Sequence, residues 1–168
     1  MYLRPSQKLM PQKAQMRIPD SVADFLTCKR IAVAGVSRNP NHVGNGIFRR
    51  FRELGYEVHP VNPHAAEVEG VAAFSDVQSI PGKVDGLMIA TRPDVAVDLV
   101  RQCAKCGIQR VWIHRGLGTG SVSEASVREA KTLGLTCIAG GCPFMYCEPV
   151  DVFHRYMHKC LHFLHRVP

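Results

Sequence analysis

At 168 residues, 46% of them hydrophobic and 21% charged, the chain has the apolar content for one domain with its own core. Its 21 Lys and Arg outnumber 14 Asp and Glu to give a net charge of +7, which favours anionic partners such as polyphosphate ligands; no run of 18 apolar residues occurs, which excludes a helical membrane span. Seven cysteines form an odd set without the spacing of a small disulfide scaffold, so reduced thiols and a cytoplasmic location are expected.

Residues 1–19 carry Arg4, Lys8, Lys13 and Arg17, no acidic residue, and Pro5, Pro11 and Pro19. That stretch has little to bury and is expected to be a flexible basic tail, with the folded domain over 20–168. The prolines argue against the amphipathic helix of a transit peptide. Asp20 and Ser21 can cap a short helix to about Thr27. The apolar run 31–35, ending in Gly35, predicts a buried strand. Ile47, Phe48, Phe51 and Leu54 fall at helical spacing over 44–54, with Gly55 as the stop. A second strand is predicted over 56–61, closed by Asn62-Pro63, and a short edge strand over 71–74.

Residues 86–90 predict another buried strand, and 93–106 a helix with Pro93 at its start and Gly107 at its end. A strand over 110–114 follows, then a helix capped by Ser121 or Ser123 and running to Leu133, then a strand over 135–139. The last helix is predicted over 148–166, with Val150, Phe153, Met157, Leu161 and Leu164 on one face. Strand–helix alternation at these intervals means βαβ units. The expected fold is α/β: a Rossmann-like three-layer sandwich with a mainly parallel sheet of five or six strands. Its ligand is expected outside the carboxyl ends of the strands, where segments 35–46, 62–64, 91–93, 114–118 and 140–143 converge.

The loop from Gly35 to Gly46 is longer than a G-x-G-x-x-G turn. Gly35 permits a sharp turn and close approach of a ligand; Ser37 and Asn39 supply polar side chains, Arg38 and His42 positive charge. Free N–H groups near Gly44, at the helix start, favour an anion. The end of the second strand bears on the choice of ligand. An NAD site places a carboxylate there to grip the ribose, whereas this strand ends in Asn62-Pro63 with no carboxylate before Glu67. Classical NAD binding is therefore disfavoured.

IAVAGVSRNP (31–40), Gly44, GYEVHPVNP (55–63), Gly70, Ile80-Pro81, TRPD (91–94) and VWIHRG (111–116) together resemble the small stand-alone CoA-binding domain proteins. These are similar to the N-terminal domain of the succinyl-CoA synthetase α subunit, and the resemblance covers about residues 25–145. It implies coenzyme A, or an acyl-CoA, bound across the strand ends. On that pattern Gly35, Val36, Ser37, Arg38, Asn39, Pro40 and Gly44 hold the phosphates, with His42 where the family often carries lysine. Asn62 and Pro63 face the adenosine, Thr91, Arg92 and Pro93 line the next stretch, and His114 and Gly116 lie toward the pantetheine end, where Gln or Glu is usual near His114. The synthetase's phosphorylated histidine lies outside the matched stretch, so the resemblance implies binding rather than ligase chemistry.

Cys142 follows Gly140-Gly141 where the family often has cysteine. A thiol there is expected either to meet the CoA thiol or to pack inward as an inert side chain. Cys103 and Cys106 lie within a helix and are expected as core fillers. His154, His158, His162 and His165 fall on one helical stripe beside the apolar one, which is read as a boundary and not as a metal site. No catalytic residues are expected; the alternative is a CoA- or dinucleotide-dependent transferase or reductase, with Asp94 and Glu148 the few carboxylates at the strand ends. One Trp, placed within a strand, offers no stacking platform, so nucleic acid is not expected as a partner, nor is a membrane.

Overall fold

The structure is a computed structural model that describes residues 18–165 and residue 167; all but the last two residues of the expected basic tail lie outside the described residues. The elements are α1 (Asp20–Leu26), β1 (Arg30–Ala34), α2 (Val43–Glu53), β2 (Glu57–Val61), β3 (Glu67–Val68), β4 (Val71–Ala72), β5 (Gly86–Ile89), α3 (Pro93–Lys105), β6 (Arg110–Ile113), α4 (Glu124–Thr132), β7 (Thr136–Ala139), a 3-10 turn at Pro143–Met145, and α5 (Val152–Phe163).

Five strands form one parallel sheet in the order β2-β1-β5-β6-β7. Side chains alternate between its faces, as the two-residue period of a strand requires. Ile31 and Val33 of β1, Met88 of β5, Trp112 of β6 and Ile138 of β7 enter one core with Phe25 of α1, Phe48 and Phe51 of α2 and Leu161 of α5. Ala32, Ala34, Leu87, Ile89, Val111 and Ile113 enter the other core, beneath α3 and α4. Trp112 is fully buried; its indole N–H donates to the Gly140 carbonyl at 2.9 Å and its ring meets Phe25 edge-on at 5.4 Å. These two layers of helices on an all-parallel sheet are the Rossmann-like sandwich expected from the sequence.

Several local expectations change. Asp20 and Ser21 do not cap α1: they lie inside it, after Pro19, and no side chain caps it. Residues 71–74 do not add a sixth strand: β4 pairs antiparallel with β3 in a hairpin, and only Phe74 bridges to Val61 of the sheet. Ser123, and not Ser121, caps α4, accepting from the Ser126 N–H at 3.1 Å. The last helix begins at Val152 and not at 148, because the Asp151 carboxylate accepts the His154 N–H at 2.9 Å and caps it there. Met157, His158 and Leu161 form its buried face, while Phe153 and Leu164 turn outward.

Candidate functional site

In the sheet order, the connection from β1 leads outward to β2, while β5 lies on the other side of β1. The switch point is therefore between β1 and β5, and a crevice opens outside their carboxyl ends. Two adjoining pockets occupy it. The larger, about 590 Å³, is lined by Gly35, Val36, Ser37, Val61, Asn62, Pro63 and His64 together with Asp76, Leu99 and Gln102. The smaller, about 400 Å³, lies against Pro93, His114, Gly116 and Ser121. His42, Thr91 and Arg92 line both, so the two form one continuous cleft of the size that small-molecule sites use.

The first loop is held from three sides. Asn45, only 1% exposed, accepts the Ser37 N–H at 2.9 Å, donates to the Ser37 carbonyl at 2.7 Å and donates to the Glu69 carboxylate at 2.6 Å. Glu69, at the tip of the β3–β4 hairpin, also pairs with Arg49 at 2.7 Å; these hydrogen bonds, Asn45 foremost, hold its carboxyl below the usual range. Arg49 in turn donates to the Pro40 carbonyl at 3.0 Å. From the second strand, the Asn62 amide donates to the Val36 carbonyl at 2.8 Å, while its oxygen accepts the His64 N–H at 2.7 Å. Within the loop, Ser37 Oγ accepts the Asn39 N–H and Asn39 Oδ1 accepts the Asn41 N–H, each at 3.1 Å. On the far side, Ser121 Oγ donates to the Thr91 carbonyl at 2.6 Å and fastens the smaller pocket's two walls together. A loop fixed this way meets a ligand without paying much ordering entropy.

The charges are distributed unevenly. Arg38, Asn39, Pro40 and His42 are exposed on the loop, and no ion pair of Arg38 occurs among the described residues. Arg92 is exposed but pairs with Asp94 at 3.0 Å. Asp76 and Asp98 also line the larger pocket; Asp76 is held below the usual carboxylate range by hydrogen bonds from Ser75 and then Ser79. His114 is 7% exposed, and burial, then the charge of His42, pushes its imidazole down to about 4, so it stands neutral at physiological pH.

A family profile described as a CoA binding domain matches residues 29–148. The chain belongs to the CoA-binding domain family. It is 34% identical over 110 residues to the α subunit of an ADP-forming acetate–CoA ligase II of Pyrococcus furiosus, spanning 65% of this chain but only 24% of that subunit. It is 30% identical over 114 residues to the uncharacterized protein YneT of Bacillus subtilis, covering 68% of this chain and 82% of that protein. Among solved structures, a hypothetical protein from Pyrococcus horikoshii superposes with a TM-score of 0.67 at 26% identity, over 83% of this chain and 93% of that one.

Set on this CoA-binding domain, the residues singled out from the sequence divide into several groups. Ser37, His42, Pro63, Thr91, Arg92, Pro93, His114 and Gly116 line the cleft, while Arg38, Asn39 and Pro40 stand exposed on the loop and line neither pocket. Gly35, Val36 and Asn62 build the wall, and Gly44 packs behind it against the Gly35 backbone. The Asn62 side chain is spent on its neighbours, and the Gly44 N–H is not free, because the His42 ring accepts it at 3.3 Å. Cys142 lies elsewhere: it is 4% exposed within the core beneath α5, and burial pushes its thiol up to about 12. Of the two expectations for Cys142, the inward-packed side chain fits this placement and the accessible thiol does not. Cys103 is buried in the opposite core, whereas Cys106 is exposed.

The sequence reading missed Asn45, Glu69 and Ser121. A polar side chain between two glycines at a helix entry, as in Gly44-Asn45-Gly46, was the available signal for the first; Ser121 stood out only as a possible helix cap, and nothing local marked Glu69. Asn45→Ala should cost about 2 kcal/mol, since it removes three hydrogen bonds and strands the Ser37 backbone groups. Urea unfolding checks this; a variant as stable as the parent means that the loop does not depend on the amide.

Proposed function

We propose that the chain binds coenzyme A or an acyl-CoA, as a binding module, in an extended pose along the cleft. The observation that carries this reading is the continuity of the two pockets past His42, Thr91 and Arg92, beside the exposed Arg38 of the same loop. Adenosine fits the larger pocket, against Pro63, His64 and Leu99, where Asp76 and Asp98 suit hydroxyl and amino groups better than phosphates. The phosphates fit over Ser37, Arg38 and His42. The His42 ring accepts the Gly44 N–H only at the long end of hydrogen-bond range, so a phosphate oxygen is a stronger competitor for the first amides of α2. The pantetheine arm then runs past Thr91 into the smaller pocket, toward His114 and Gly116.

Calorimetry with CoA and NAD tests the reading. CoA is expected to bind and NAD to bind more weakly, because β2 ends without a ribose-gripping carboxylate. Arg38→Ala should weaken CoA about tenfold, more at low salt than at high. Arg92→Ala should do less, because Asp94 already offsets that charge. Tighter NAD binding, or affinity untouched by both substitutions, overturns the assignment.

A further inference from the structure

Helix α5 carries two apolar faces, and the fold uses only one of them. Met157, His158 and Leu161 point into the core, while Val152, Phe153, Tyr156, Phe163 and the capping Leu164 are 57–83% exposed. These five account for five of the eleven large exposed apolar side chains among the described residues. At about 100° per residue, Val152, Tyr156 and Phe163 fall within roughly 40° of one another, with Phe153 and Leu164 along one edge. Arg155, Lys159 and His162 run along the other edge. The helix itself contains no acidic residue, and Asp151 at its start is taken up by His154.

That flank selects the occupant. Residues 1–17 are basic and acid-free, so they do not complement it. A second α5 would bring Arg155 and Lys159 with no carboxylate on either helix to answer them. A partner for this face must therefore be anionic as well as able to take up aromatic side chains. We propose that α5 docks the domain on an anionic lipid surface, with Phe153, Tyr156 and Phe163 entering the acyl boundary and Arg155 and Lys159 meeting the headgroups. Five apolar side chains and two permanent cations make this a reversible attachment.

Vesicle co-sedimentation of the full chain tests it, using phosphatidylcholine alone and phosphatidylcholine mixed with phosphatidylserine. The protein should sediment with the mixed vesicles, release at high salt, and ignore the neutral ones. A net charge of +7 alone would also draw it to anionic vesicles, so the deciding variant keeps the charge: Phe153→Ser with Phe163→Ser should lose about tenfold in vesicle affinity. Arg155→Gln with Lys159→Gln should weaken attachment as well. Both pairs lie on the exposed side of α5, so unchanged circular dichroism and unchanged ligand affinity should accompany the loss. Vesicle binding that survives the Phe double variant overturns the proposal, as does failure of the parent to sediment. A parent that runs as a dimer in gel filtration and becomes monomeric on Phe163→Ser overturns it too, assigning the stripe to a second copy of the chain.

Discussion

Gly44→Ala is expected to destabilise the domain by roughly 3 kcal/mol or more and to abolish ligand binding with it. Gly44 has no Cβ, and one built there would lie 2.3 Å from the Gly35 carbonyl oxygen, 2.7 Å from its carbon and 3.1 Å from the Val36 nitrogen. All three are backbone atoms of the loop that α2 packs against, so no side chain can swing aside to make room. Gly35 is caught in the same stack from the other direction: its Cβ would sit 2.3 Å from the Ala90 carbonyl oxygen, and its φ of +100° is foreign to other residues. The two glycines let α2, the loop and the end of β5 close on one another at backbone distance, and the cleft's floor is that contact. A shift in melting temperature of roughly 6–12 °C follows from a loss of that size in a domain of this length. Gly107→Ala is the control. Its φ is +71°, unlike that of the helical Gly44, but a Cβ there meets nothing within 4 Å, so only the backbone penalty of about 1 kcal/mol applies. If Gly44→Ala and Gly107→Ala melt together, close packing at Gly44 is not what holds the loop.

Local pattern carried much of this architecture. Strand β1 reads Ile31-Ala32-Val33-Ala34, with large residues toward α1 and α2 and small ones toward α3, and this two-sided burial is what an apolar run between polar turns means in a parallel sheet. Gly35 and Gly44 likewise marked the loop, and both also make contacts between backbones that a Cβ would block. What escaped depends on distance in sequence. Asn45 and Glu69 meet only because the β3–β4 hairpin folds back over α2, and a two-residue strand pair carries too little periodicity to announce that return. Cys142 stayed open because a cysteine after two glycines looks alike whether its side chain turns toward the cleft or the core, and Met145, Tyr146 and α5 draw it inward. Phe153 and Leu164 turn outward although they share a face with Met157 and Leu161 in sequence, because a helix with apolar residues on two sides gives one broad stripe and only packing decides which part is covered.

Acid is expected to weaken the fold through His114 before the carboxylates matter. Its imidazole titrates near 6.5 when unfolded and at about 4 when folded, held down first by burial and then by His42. Between those values the unfolded chain binds a proton that the folded chain refuses, so stability is full above pH 6.5 and falls as the pH drops toward 4. The loss over the whole window is about 3 kcal/mol, of which about 2 kcal/mol is gone by pH 5. His59 and His158 are displaced in the same direction, also by burial, and add to the slope. Asp24 and Asp85, whose carboxyls sit below the usual range through Arg110 and through the backbone N–H groups of Arg30 and Lys29, lose their contribution only at more acidic pH. Urea unfolding at pH 7 and pH 5 should therefore show the parent losing several kcal/mol, and His114→Gln losing about 2 kcal/mol less over the same interval. Equal losses in the two proteins would mean that His114 takes up its proton while folded, and hence that the smaller pocket is open enough to water to charge it. That end of the cleft would then carry a charged imidazole, where the structure buries a neutral one.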